Sequence, residues 1–432
     1  MRIARRLGPF VFAALVIALA PPLAAAPRTS TADNHIAYYQ SIVQRNPRDA
    51  RAFHGLGDAY IRKARESGDV AYFDRAERAI RRSLELAPDS AGAWRHLAYV
   101  RYSLHDFEQA ATQARRAIGL DATDSHAHGV LGDALLEVGR YIEAELAYRR
   151  MIETGPDLYG YGRLAGLKSL RGDAAGAIDD LERAIADGRV AGAPSESLAW
   201  TLWQLGTEHA ALGRLDRAEA AFTDALATHP GYHRALAGLA HVGAAQGRYD
   251  EAVRLYTRAI GVVPLPEYAA ALGDVYTRTQ RPLDARKQYD LVEYIGRLSA
   301  INQVLYGREL AYFYADHDLK LDTALELARR ELTVRQDVYA HDLLAWTLFK
   351  NGRHAEAQAA MAEALRLGTQ DARLLFHAGM IAHARGDHAT ARSHLERALR
   401  LNPHFHLLHA EVAARTLASI DGAPAGASGA GR

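Results

Sequence analysis

The sequence predicts an all-α solenoid of about ten stacked helix–turn–helix units, closed by a C-terminal capping helix. Three observations carry that expectation. One small residue recurs in the second half of each unit, at Ala76, Ala110, Ala144, Ala177, Ala218, Ala252, Ala285, Ala324, Ala357 and Ala391. Most intervals fall at or near 34 residues, which is the period of a repeated helix pair. Turn glycines and closing prolines hold fixed places in the fullest copies, as in "GRLDRAEAAFTDALATHP" from Gly213 to Pro230.

One unit shows the physics. In "HRALAGLAHVGAAQGRYDEAVRLYTRAIGVVP", Leu236, Leu239 and Ala240 share one face of a first helix. Gly247 supplies its left-handed stop. Ala252, Tyr256, Ala259 and Ile260 form the stripe of a second helix, which Pro264 ends. The alanines let the two helices approach closely, and the larger side chains fill the remaining volume. A lone pair cannot bury both of its faces, so the units must stack.

In chain order, "MRIARRLGPFVFAALVIALAPPLAAAP" comes first. Arg2, Arg5 and Arg6 precede a short apolar run and then small residues, the layout of a signal peptide over 1–26. The run is short for a membrane span, which takes about 20 residues. Export with removal is expected, into the periplasm; the alternative is a retained anchor in the inner membrane, the chain facing the periplasm. A polar leader occupies 27–33. "HIAYYQSIVQRNP" reads as a lone second helix before the full units. Units are expected to open near Ala50, Ala91, Ser125, Leu158, Ala199, His233, Pro266, Val304, Val338 and Ala372.

Three segments depart from the period. "KARESGDVAY" extends the first unit, "ADGRVAGAPSES" follows the fourth and "YIGRLSAINQ" follows the seventh. The second is rich in Gly, Ala, Pro and Ser and reads as a loop or joint. It divides an N-terminal array over 34–192 from a C-terminal array over 193–419, which includes the capping helix. The stretch 420–432 reads as a disordered tail. The seventh unit carries Gln280–Arg281–Pro282 where a turn glycine is expected.

These positions resemble the tetratricopeptide repeat family. Leu205–Gly206 with Gly213, Ala218, Phe222, Ala225 and Pro230 makes the fullest copy, and Leu56–Gly57–Tyr60 and Trp94–Leu97 open others. The resemblance covers about Asn34 to His409. It implies a right-handed superhelix whose concave groove holds a protein or peptide partner. With successive side chains about 100° apart, positions 2, 5, 9 and 12 of each unit form a stripe apart from the core stripe. The resemblance places that stripe on the groove. It holds Trp200 and Trp203 in the fifth unit, and Arg308 and Tyr312 in the eighth. Tyr339, Asp342, Trp346 and Phe349 hold it in the ninth, and Phe376 and Met380 in the tenth. Exposed aromatics on such a wall are typical anchors for a partner. Asp58, Asp133 and Asp274 share the stripe with Arg51 and Arg95, so the groove is mixed in charge. The cluster of Lys, Arg and Asn with which some members clamp a carboxy-terminal peptide is not found.

Chemistry beyond binding finds little support. Fifty-two basic and 51 acidic side chains give a net charge of +1, with no basic face to suggest nucleic acid. Absence of cysteine excludes thiolate zinc sites, a thiol nucleophile and a lipid-modified N-terminal cysteine. Phosphate-binding, dinucleotide, nucleophile-elbow and His-Glu-x-x-His patterns are all missing, so neither an enzyme nor a cofactor is expected. Histidine is frequent, at 20 residues. His404, His406 and His409 make a weak candidate metal set, of which only His406 and His409 share a helical face; exposed helix positions are the expected place for such residues. The sequence therefore reads as a non-catalytic envelope scaffold or adaptor. A carbohydrate- or peptidoglycan-binding module is one alternative, and an accessory partner of a metal-handling envelope system is another.

Overall fold

The computed structural model describes residues 31–301 and 307–422. Among the described residues lie twenty-two helices and no strand. Helix α1 (Thr31–Arg45) is the lone half unit. Units 1 to 3 pair α2 (Ala50–Ser67) with α3 (Ala71–Leu86), α4 (Ala91–Ser103) with α5 (Phe107–Leu120), and α6 (Ser125–Glu137) with α7 (Tyr141–Thr154). Units 4 and 5 pair α8 (Leu158–Leu170) with α9 (Ala174–Val190), and α10 (Ser195–Ala211) with α11 (Leu215–Thr228). Units 6 and 7 pair α12 (His233–Ala245) with α13 (Tyr249–Val262), and α14 (Pro266–Arg278) with α15 (Pro282–Ile301). Units 8 to 10 pair α16 (Gly307–Asp316) with α17 (Leu321–Val334), α18 (Val338–Lys350) with α19 (His354–Ala364), and α20 (Ala372–Ala384) with α21 (His388–Leu401). The cap is α22 (His409–Gly422).

The repeated alanine does what its spacing implied. Nine of the ten have no exposed surface, and Ala285 is 3% exposed. A larger side chain there would separate the paired helices. Aspartates close many helix starts: Asp157, Asp337 and Asp387 accept amide hydrogens from Gly160, Ala340 and Thr390. Where the seventh unit lacks a glycine, Gln280 itself takes the left-handed conformation, with φ 56°.

Three expectations need correction. The stretch after the fourth unit is mostly helix, because α9 runs on to Val190 and α10 begins at Ser195, one turn before Ala199. Stacking continues across it, with Ile185 packed among Leu198, Ala199 and Leu202. Thr31 to Asp33, assigned to the polar leader, form the first turn of α1. Ile420 to Gly422, assigned to the disordered tail, finish α22, with Ile420 buried in the core. The signal segment 1–26, the unit start at Val304 and 423–432 of the tail lie outside the described residues. No helix among those described is long and apolar enough to cross a membrane.

The stack curls until its second turn rests on its first. The turn inside unit 3 meets the end of unit 8: the Gln336 amide donates to the Glu137 carbonyl at 2.9 Å, and the Val338 amide to Tyr141 Oη at 2.9 Å. Arg335 also pairs with the Glu137 carboxylate at 2.7 Å. Unit 4 meets unit 9 through Thr369 Oγ1, which donates to the Leu170 carbonyl at 2.5 Å. Unit 5 meets unit 10 through Asn402 Nδ2, which donates to the Ala210 carbonyl at 2.9 Å. Each contact joins the turn region within one unit to the junction that follows the unit five places on. A curved stack with that register encloses its inner face.

Neutral histidines are built into this arrangement, and they set a pH dependence. Arg335 Nη2 donates to His105 Nε2 at 3.0 Å, so that nitrogen must keep its lone pair. Burial, then the charges of Arg335 and Arg308, lowers His105 to about 3. Burial, then Arg234, lowers His233 to about 4. Below pH 6.5 the unfolded chain protonates both rings while the folded chain does not, so stability falls with pH until the folded values are reached. From pH 7.5 to 5.5 the pair should cost about 3 kcal/mol, about 1.4 kcal/mol from each ring. Glu267, raised by burial to about 7, acts in the opposite sense over the same range, so the effect is read as a difference: the melting midpoint of the parent should fall more between these pH values than that of a His105→Gln/His233→Gln variant. Equal pH dependence in the two proteins would mean that these rings are open to water.

Candidate partner-binding groove

The inner wall is made by the first helices of successive units, which crowd together on the inside of the curve. On α16, α18 and α20 this crowding buries side chains expected to stand exposed. Trp346 is 2% exposed, Phe376 1%, Asp342 1% and Tyr312 7%. The reason is geometric: each bridges to the neighbouring helix, so the wall is packed from unit to unit. Trp346 lies between Phe349 and His377, with ring centroids 4.9 and 4.1 Å away, and donates its indole hydrogen to Asp316 at 2.8 Å. Tyr312 Oη donates to Asp342 at 2.8 Å, and His377 Nδ1 sits 2.9 Å from the same carboxylate. Burial alone would raise the Asp342 carboxyl, but His377, Arg373 and Tyr312 bring it below its ordinary value. Tyr339, Phe349 and Met380 are half-buried.

Charges expected to face the groove are mostly spent on one another. Arg308 pairs with Glu331 and Asp337, both at 2.9 Å. Asp133 takes a two-pronged contact from Arg163, and Asp274 holds His317 at 2.7 Å. Such pairs hold neighbouring units in register and leave little charge for a ligand. Arg373 is different. Its guanidinium lies 4.1 Å over the Tyr312 ring and forms no ion pair among the described residues.

Arg373 lines a cavity of about 360 Å³ between units 5 and 6 on one side and unit 10 on the other. Trp203, Thr207, His241, Asp371, Asn402, Phe405 and His406 contribute to its wall. Trp203 is half-buried, with Arg234 4.9 Å over its ring. Trp200, also half-buried, packs beside Gly162 instead. Of the expected groove residues, Trp203 alone lines this cavity. Arg373 was missed although it sits at position 2 of the tenth unit, on the stripe that flagged Phe376. His241 was missed in the same way, at position 9 of the sixth unit, whereas Asn402 and Phe405 lie outside the first helices and carry no periodic signal.

The histidine expectation also changes. His404 is exposed as expected, but His406 is half-buried and His409 is 6% exposed. Their rings stack at 4.2 Å, beside the Asp316 carboxylate.

Comparisons with known proteins agree with this architecture. Tetratricopeptide repeat family models match residues 64–125, 97–159, 209–275 and 343–404, about half of the chain together. The cellulose synthase 2 operon protein C of Komagataeibacter xylinus is 28% identical over 306 residues, which are 70% of this chain but 21% of that protein. The chain thus spans about a fifth of that relative's length. The human IFIT1 dimer with m7Gppp-AAAA superposes with a TM-score of 0.51 at 16% identity, covering 78% of this chain and 77% of that one. A tetratricopeptide repeat protein from Parabacteroides merdae is 19% identical, with a TM-score of 0.35, over 62% of this chain and all of that one. Matched repeats and stacked helix pairs together show that the chain belongs to the tetratricopeptide repeat family and has the build of a protein-interaction scaffold.

Proposed function

We propose that this chain is a non-catalytic scaffold of the bacterial cell envelope, holding a protein or peptide partner against the inner wall of its stack. The observation that carries the reading is the cavity beside Arg373. There the Arg373 guanidinium, in the field of Asp316, Asp342 and Asp371 but with no direct ion pair among the described residues, stands near two aromatic rings, Trp203 and Phe405. A partner segment that offers a carboxylate next to an apolar side chain satisfies both. The envelope placement rests on the charged, short apolar leader. Export to the periplasm fits that leader, and retention as an inner-membrane anchor is the alternative. The buried Asp–His contacts serve packing between units, and no nucleophile with an attendant base lines the cavity.

A second reading, carbohydrate binding, is favoured by Trp203 and Phe405 standing with Thr207, Asn402 and Asp371, since aromatic faces with polar neighbours also suit sugar rings. One experiment separates the two. The chain and its Trp203→Ala/Arg373→Gln variant are used as bait in envelope extract, with helical circular dichroism and melting as fold controls. Loss of capture by a folded variant is the expected result. Equal capture would move the partner off the inner wall. If neither bait captures protein but tryptophan fluorescence titrates with glucan oligosaccharides, the second reading takes over.

A further inference from the structure

We infer that Asp316, His406 and His409 form a binding site for a divalent transition-metal ion of the zinc class, where unit 8 meets the capping helix. One carboxylate oxygen and one ring nitrogen from each histidine lie within 4.8 Å of one another. Bonds of about 2.0–2.2 Å to a tetrahedral ion need donor atoms about 3.3–3.5 Å apart. Closure therefore takes side-chain movements on the order of an ångström. Two nitrogens and one carboxylate are a donor set that zinc, cobalt and nickel accept, with a fourth position open.

Two independent observations point to a cation. First, Asp316 accepts the Trp346 indole hydrogen at 2.8 Å but has no cationic side chain in pairing distance among the described residues. Its half-buried charge is left without a contacting counter-ion. Second, His409 Nδ1 is buried with no hydrogen-bond partner. In the tautomer that carries its hydrogen on Nε2, the Nδ1 lone pair is unused and free to ligate.

His406 completes the set at a small cost. Its Nδ1 accepts the amide hydrogens of Leu408 and His409 over 3.2 and 3.3 Å, both long. Its Nε2 faces Asp274 at 3.8 Å, and that carboxylate already holds His317 and Tyr289. Ligation through Nδ1 replaces the amide contacts. Ligation through Nε2 requires a proton on Nδ1 and also releases them. In either case the two amides are freed. Packing alone explains why the rings stack, but it leaves the Asp316 carboxylate without an ion-pair partner among the described residues and the His409 Nδ1 lone pair without a contact.

The test uses the untagged chain, freed of metal by a chelator and titrated with cobalt(II), then zinc(II). One equivalent of cobalt should bind with the visible absorption of a four-coordinate site, and zinc should bleach it. Asp316→Asn keeps an acceptor for Trp346 and should weaken binding at least about tenfold, with helical signal retained. His409→Gln should do the same, and His404→Ala, at an exposed position outside the cluster, should bind like the parent. Hydrogen exchange at Leu408 and His409 should quicken when metal is added. The inference fails if the parent takes up no saturable equivalent. It fails equally if folded Asp316→Asn binds as tightly as the parent, or if His404→Ala abolishes binding.

Discussion

Trp346→Ala should lower stability by about 3–5 kcal/mol, the range for truncating a large buried aromatic. Its ring is held on every side: Phe349 and His377 stack on it, Phe376 tilts against it at 5.6 Å, and Lys350 Nζ lies 5.2 Å from its face. Truncation leaves a void where α16, α18, α20 and α22 converge. It also removes the indole hydrogen from Asp316. Trp346→Phe, which keeps most of the volume but not that hydrogen, should cost less than half as much. Urea unfolding of the three proteins checks this. Because stability in a repeat stack is largely a sum over neighbouring units, hydrogen exchange should locate the loss in units 8 to 10 and the cap. A change below about 1 kcal/mol, typical of surface sites, would return Trp346 to an open wall.

The contrast between Trp346 and Trp203 shows where sequence reasoning stopped. Unit starts at Ala50, Ala91, Ser125, Leu158, His233, Pro266, Val338 and Ala372 were legible, since they follow from hydrophobic period, small residues and turn chemistry within one unit. How near the next first helix stands was not, because that spacing depends on curvature accumulated over several units. Trp346 therefore met Asp316, His377 and His409 from three other helices, while Trp203 kept a cavity beside it. Leucine, alanine and glycine spacings do not encode such meetings. His406 and His409 were singled out as neighbours on one face, but Asp316 belongs to another unit and no periodicity links it to them.

Contacts between the two turns of the coil carry the last large effect. Gly172 and Gly352 end the first helices of units 4 and 9, with φ 79° and 73°. Alanine at either position must adopt a left-handed conformation, at a cost of about 1 kcal/mol. At Gly352 nothing else lies within 4 Å of the new methyl group. At Gly172 that methyl would stand 2.6 Å from the Gly368 carbonyl oxygen, which belongs to the overlying turn. A backbone oxygen cannot rotate away as a side chain could, so the two turns must separate. Overpacking of this kind adds about 1–3 kcal/mol, and the Thr369 contact to the Leu170 carbonyl would be strained with it. Gly172→Ala should therefore cost about 2–4 kcal/mol, the strain and overpacking costs together, against about 1 kcal/mol for Gly352→Ala. Gly139→Ala meets the Gln336 carbonyl at the same 2.6 Å, so the Gly139→Ala/Gly172→Ala pair should loosen the coil further. Small-angle scattering should then show a larger radius of gyration with helical content nearly unchanged, because stacking within each turn survives. Equal costs at Gly172 and Gly352, with identical scattering, would mean that the turns stand apart in solution and that the inner wall is an open groove after all.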